Sequence, residues 1–220
     1  MPYTDPDISP TIADNSKVEQ ILKRYKEAQS LKDNWKEKFE EAYEYCLPQR
    51  ESFYEESPAQ RRTDKIFDET AVVGIQEFAS RLQSGIVPTF ARWANLEAGV
   101  EIPEENVESV NQSLDAITQF VFETVGNSNF NQEVHECFMD LAVGTGCLLV
   151  EDGDAVNPIK FSAIPLPHLI LANGPDNKID TVFRRRYCKL KEVEIMYPQA
   201  KVPEDIMQSM GPDKKCTLLD

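Results

Sequence analysis

DLAVGTGCLLVEDG, residues 140–153, is where the chain passes from helical to extended periodicity. Just upstream, Phe130, Val134, Phe138 and Leu141 recur at the spacing of one buried helix face. Gly144 falls where a left-handed helix cap is wanted, and Gly146 lets the backbone approach a neighbour closely. Cys147 to Val150 is short and wholly apolar, which predicts a strand covered on both faces. Before this stretch the patterning is helical, and after it mostly extended. The fold class is therefore α+β: amphipathic helices followed by a small, mainly antiparallel sheet.

Working backwards, residues 128–129 offer a helix cap, and Gly126-Asn127-Ser128 breaks the helix before it. That earlier helix, about Pro103 to Val125, has the stripe Val107, Val110, Leu114, Ile117, Val121 and Val125. Another runs from about Asp68 to Gly85, with Ala71, Val72, Ile75, Phe78, Ala79 and Leu82 on its buried side. The link between them, TFARWANLEAG, reads as extended, anchored by Phe90, Trp93 and Leu96. The first helix is predicted over Ser16 to Cys46, with Ser16 or Asn15 as cap and Pro48 as terminator. Its apolar stripe includes Val18, Ile21, Tyr25, Ala28, Trp35 and Phe39, as one face of a packed bundle or as a coiled-coil seam. Gln49 to Asp64 reads as an exposed polar loop.

Working forwards, strands are predicted at Ile159–Ile164, His168–Ala172 and Ile179–Tyr187, with Asn173-Gly174-Pro175-Asp176 as a turn. Lys189–Pro198 and Pro203–Met210 read as short helices. The organisation is thus a mobile N-terminal arm over 1–15, a helical part over 16–145, a small β-sheet over 146–188, and the start of a following segment over 189–220.

The 220 residues are 41% hydrophobic and 28% charged, ordinary for a folded protein. No apolar run approaches the ~20 residues that span a bilayer, and the N-terminus lacks a secretory signal. Five cysteines without a C-x-x-C pair point to reduced thiols, not a disulfide framework or zinc site. Net charge is −15, and 13 acidic residues lie between Arg92 and Lys160, where there is no lysine or arginine. Such a surface repels phosphate, so sequence-reading DNA binding is disfavoured.

Candidate chemistry is sparse. Gly144-Thr145-Gly146 lacks the lysine of a phosphate loop, and Leu149 stands where a dinucleotide fingerprint needs glycine. His135, His168, Asp152 and Asp154 read as structural or solvated. No catalytic, cofactor-binding or metal-binding residue is assigned, and the chain reads as a non-enzyme. Arg184-Arg185-Arg186 is the sharpest charged cluster, with Arg184 and Arg186 on one strand face. Its arginines could meet DNA phosphates, or pair with the acidic block within the chain or across a subunit boundary; ion pairing is favoured because the opposite charge is present. Arg61-Arg62 is a weaker case. By side-chain chemistry, Arg81, Arg92, Trp93, Arg184 and Arg186 are the candidate subunit-contact residues.

Four blocks in order resemble one family. They are NWKEKFEEAYEYCLPQR (residues 34–50); Arg62, Asp68, Thr70 and Ala71 with FASRLQSGIVP and Arg92-Trp93-Leu96; NSNFNQEVHECFMDLAVGTGCLLVEDG (127–153); and IPLPHLILANGPDNKIDTVFRRRY (164–187). Together they look like the head-to-tail connector, or portal, proteins of short-tailed bacteriophages. The resemblance implies a structural subunit with no catalytic residues and no cofactor, forming a dodecameric ring at one capsid vertex of the virion. It implies assembly in the bacterial host cytoplasm, with terminase, major capsid protein, scaffolding protein and a tail adaptor as partners. Double-stranded DNA would pass transiently, without sequence-specific binding, during packaging and ejection; no membrane is involved. Family members are longer, and CTLLD at the end looks like the start of a strand, so an N-terminal fragment holding mainly the outer wing is expected. The alternative is a monomeric acidic helical adaptor without catalytic activity.

Overall fold

The computed structural model describes residues 15–50, 66–198, 200, 202 and 204–220. Residues 1–14 of the arm expected over 1–15, the loop residues 51–65 with Arg61 and Arg62, and the side chains of the proposed caps Asn15 and Ser16 lie outside what is described. The chain divides into two compact units, residues 1–36 with 168–220, and residues 37–167. Among the described residues there are seven α-helices and two antiparallel sheets, an α+β fold.

The unit over 37–167 holds α2 (Lys36–Cys46, all but its first residue), α3 (Thr70–Ile86), α4 (Glu104–Asn127), α5 (Phe130–Val143) and the hairpin of β1 (Leu148–Asp152) with β2 (Ile159–Ala163). α5 is central, packing against α3 and β2. One core joins Val87, Phe130, Val134 and Phe161; the other joins Tyr43, Leu47 and Leu166, flanked by Phe39, Ile75, Met139 and Val143. The unit over 1–36 and 168–220 holds α1 (Asn15–Asp33), laid on the three-stranded sheet β3 (Leu169–Asn173), β4 (Ile179–Lys189), β5 (Lys215–Leu219). Here Tyr25 and Ala28 of α1 cover Ile170, Ala172 and Phe183, and the Tyr25 ring meets Phe183 edge-on at 5.6 Å. Two short helices, α6 (Leu190–Met196) and α7 (Glu204–Met210), lie between β4 and β5.

Several local expectations change. The first helix is two: it breaks at Asn34–Trp35, where the Trp35 N–H turns back to the Lys32 carbonyl at 2.9 Å. Trp35, 56% exposed, leaves the predicted stripe. Gly144 ends α5 at φ −166°, an extended value and not a left-handed one. Its glycine serves space instead: a Cβ there would sit 3.1 Å from Phe39 Cε1 and 3.2 Å from Leu166 Cδ2. Gly146 does permit close approach, since a Cβ would lie 2.6 Å from the Cys137 carbonyl oxygen. β1 is not covered on both faces; among the described residues it pairs with β2 alone and Val150 is 60% exposed. In the β3–β4 turn the left-handed residue is Asn177, at φ 56°, one past the four predicted positions.

α4 keeps Val107, Val110, Leu114 and Val125 of its predicted stripe half-buried but departs from it in between. Ile117 and Val121 are exposed, and Thr118 is the buried position. The cause is the segment before it. TFARWANLEAG forms no strand, so its N–H groups need acceptors, and α4 provides them. Leu96 N–H reaches Thr118 Oγ1 at 3.3 Å, and Ala98 N–H reaches Asn111 Oδ1 at 2.8 Å. The segment runs antiparallel to the helix as a strap.

Candidate interaction surfaces and the groups that hold them

Each of the sequence-selected residues has a definite place. Arg81, on α3, pairs only loosely with Glu77 one turn back at 3.2 Å, and 82% of its side chain is exposed. Arg92 clamps the strap to α4 through Asp115 at 2.5 Å and Gln119 at 3.3 Å. Trp93 stacks on Phe130 at 6.0 Å and meets Phe122 edge-on at 5.1 Å, fixing the strap to the first core. These three belong to the unit over 37–167.

Arg184 and Arg186 belong to the other unit and converge on one carboxylate. The Arg184 guanidinium donates to Asp220 Oδ1 at 3.0 Å and Oδ2 at 2.5 Å, and Arg186 donates to Oδ2 at 2.7 Å. The Tyr197 hydroxyl donates to the same oxygen at 2.5 Å. Burial would raise the Asp220 carboxyl, but the hydrogen bonds from Arg184, Tyr197 and Arg186 override it and hold it well below the usual carboxylate range. Among the described residues, the carboxylate on which these two arginines converge is Asp220, across the β4–β5 ladder. Arg185 turns to the other face and lies 5.6 Å over the Tyr187 ring.

His135 shares a hydrogen bond of 3.1 Å with Gln83 Oε1, and His168 meets the Tyr187 ring edge-on at 6.0 Å. Asp154 accepts from the N–H groups of Val156 and Asn157 at 2.8 and 2.7 Å, folding its own turn. Among the described residues no cluster of histidine, cysteine and carboxylate side chains is arranged to hold a metal. No described helix is long and apolar enough to cross a membrane.

The most concentrated electrostatics escaped the sequence reading. α5 carries Glu133, Glu136 and Asp140 at i, i+3 and i+7, one continuous face, and all three point inward to partners. Glu133 Oε2 accepts the Ala163 N–H at 2.7 Å. One turn earlier, the Asn129 amide binds both backbone groups of Phe161, at 2.7 and 3.0 Å, instead of capping α5. Together they complete the outer edge of β2 with side chains. Glu136 pairs with Arg50, and so does Asp140, which is fully buried. Asp140 Oδ1 also accepts the Tyr43 hydroxyl at 2.5 Å, while the same tyrosine oxygen accepts the Leu166 N–H at 3.3 Å. Burial lifts the Asp140 carboxyl above its ordinary value, opposed by Arg50 and Tyr43. Burial and the neighbouring Asp140 drive the Tyr43 hydroxyl strongly upward, so it remains a donor. Cys137, close by, is pushed up to about 11, mainly by burial. The available signal was the spacing of the three carboxylates along one face of the helix.

Among the described residues the arrangement is that of a frame, in which ion pairs and amide bridges fix helices to strands. Comparison with known proteins agrees with that character. A family model described as bacteriophage head to tail connecting protein matches residues 18–219. No curated protein matches the chain.

Proposed function

Because the chain belongs to the bacteriophage head-to-tail connecting protein family, we propose that it is a portal subunit of a short-tailed phage, acting as part of a ring at one capsid vertex. Membership makes it a structural component joining head and tail of a phage particle. The ring passes double-stranded DNA during packaging and ejection and meets terminase, capsid, scaffolding and tail proteins in turn. The described helices and sheets form its outer wing, and the subunit performs no catalysis of its own.

The observation that carries this reading is the extent of the family match, which takes in both compact units from α1 to β5. The surface of α4 supports it. Ile117, Phe120 and Val121 are 50%, 69% and 43% exposed, on a helix with five acidic residues and no basic one. An apolar ridge with acidic flanks suits a protein neighbour and repels phosphate. Arg81 is the candidate with reach to a neighbouring subunit. Arg92 and Trp93 act from within to hold the strap against α4, and Arg184 and Arg186 act from within to hold the β4–β5 ladder.

Native mass spectrometry with electron microscopy tests the proposal: closed rings with a central hole are expected, dodecameric by family likeness. A persistent monomer would favour the adaptor reading instead. Replacing Glu104, Glu105 and Glu108 by glutamine separates two roles for the acidic stretch. Rings that form but package DNA poorly mean that the charge keeps DNA from sticking; impaired rings with normal packaging would remove that idea.

A further inference from the structure

Cys188 near the end of β4 and Cys216 in β5 are directly opposite in the antiparallel register. Their Sγ atoms are 3.6 Å apart, and Cys216 Sγ is also 3.4 Å from the Cys188 carbonyl oxygen. Arg184 and Asp220 exchange both backbone hydrogen bonds, at 2.7 and 3.1 Å. Counting along the ladder, Cys188 and Cys216 form another pair of that narrow type, for which the Cα separation is about 5.5 Å. That value lies inside the Cα window a disulfide requires, and since the Cβ atoms of this pair type stand wider apart than in its neighbours, closure needs side-chain rotation together with a small approach of the two strands. Both thiols are free in this structure.

We propose that Cys188 and Cys216 form a reversible disulfide clamp that ties β5 covalently to β4. The oxidant is a low-molecular-weight disulfide such as oxidised glutathione. Cys216, half-buried where Cys188 is buried, attacks one glutathione sulfur as the thiolate, breaking that S–S bond and releasing one glutathione thiol. Cys188 then attacks the Cys216 sulfur of the mixed disulfide, forms the protein S–S bond and expels the second glutathione. Two protein thiols are oxidised, one small disulfide is reduced to two thiols, and both protons end on glutathione. β5 lies at the end of the strand order β3-β4-β5 and is separated from β4 in sequence by α6 and α7. A cross-link there closes that whole loop and keeps the strand from peeling away. For a subunit assembled in a reducing cytoplasm and carried outside in a particle, the clamp is open during assembly and shut afterwards. That timing rests on the portal reading; the thiol chemistry does not.

The test is oxidation of the folded full chain in glutathione buffers, followed by alkylation in denaturant and tryptic mapping. The expected product joins Tyr187-Cys188-Lys189 to the tryptic peptide that begins at Cys216, and reductant reverses it. Limited trypsinolysis at Lys214 and Lys215 is expected to slow at least tenfold in the oxidised protein and to be unchanged by the oxidant in Cys188→Ser, where Cys216 is held instead as a glutathione adduct. Recovery of both cysteines as free thiols from folded protein in excess oxidised glutathione would overturn the clamp, as would exclusive linkage of Cys137 to Cys147. Ring formation is scored separately, so failure of the clamp and failure of the portal reading remain distinct.

Discussion

Tyr43 donates its hydroxyl to Asp140 at 2.5 Å across 97 positions of chain, joining the first helix of its unit to the end of α5. With Arg50 on the same carboxylate, this contact fixes the turn from which the β1–β2 hairpin departs. Asp140→Asn is expected to destabilise the protein by about 3 kcal/mol, because the half-buried Arg50 loses a charge partner. Tyr43→Phe should cost about 1–2 kcal/mol, the value of one hydrogen bond with a buried acceptor left short. Urea denaturation of both variants and of the double mutant measures the coupling. Additive losses would mean that the two groups do not act as one node.

The glycines flanking Thr145 should rank by what a methyl group would strike. At Gly146 the obstacle is a backbone carbonyl 2.6 Å away, and at Gly144 it is the edge of a side chain at 3.1 Å. Gly146→Ala is therefore expected to cost roughly 2–3 kcal/mol, and Gly144→Ala roughly 1 kcal/mol or less. Gly85→Ala, in open space within α3, should stabilise by about 0.4–1 kcal/mol. Thermal melts of the three proteins provide the ordering, and a reversal of the first two would refute the steric account.

Lys32 donates to the Leu169 carbonyl at 2.8 Å, and burial, aided by Arg185 and opposed by Asp33, pulls its ammonium down to about 8. Between about pH 8 and 10.5 the unfolded chain therefore binds more protons at this site than the folded one, and stability rises with pH there. Lys32→Met removes that contribution. The gain in unfolding free energy from pH 7.5 to 10 should be larger in the parent protein than in the variant by roughly 1–3 kcal/mol. Equal pH slopes would show that Lys32 is not desolvated.

Asp220 has the opposite linkage. Its folded value is depressed, so its contribution is complete above the unfolded carboxylate range and is lost as pH falls through the folded value. At neutral pH Asp220→Asn is expected to cost about 1–2 kcal/mol, reduced by partial solvent screening. The difference between parent and variant should shrink below about pH 4. A gap that stays constant into acid would assign the loss to packing and not to charge.

Periodicity alone located α3, α4 and α5 to within a few residues, along with the strands around Phe161, Ile170 and Phe183. These elements are legible because burial on one side leaves a local record in residue spacing. The break at Trp35, the burial of Thr118 in place of Ile117 and Val121, and the exposed face of β1 left no such record. Each depends on which neighbour arrives, and an apolar stripe does not say how much of itself will be covered.

The amino-acid order by itself determined the helix-to-strand succession, the need for glycine at position 146 and the family to which the chain belongs. It could not assign partners to charges. Asp140 and Glu136 resemble solvated helix carboxylates until Arg50 and Tyr43 are brought to them, and Arg184 and Arg186 call for an anion without saying which until β5 lays Asp220 alongside. Local pattern records which face is buried. Coulomb and hydrogen-bond partners are chosen by chain segments that meet only when the tertiary fold closes.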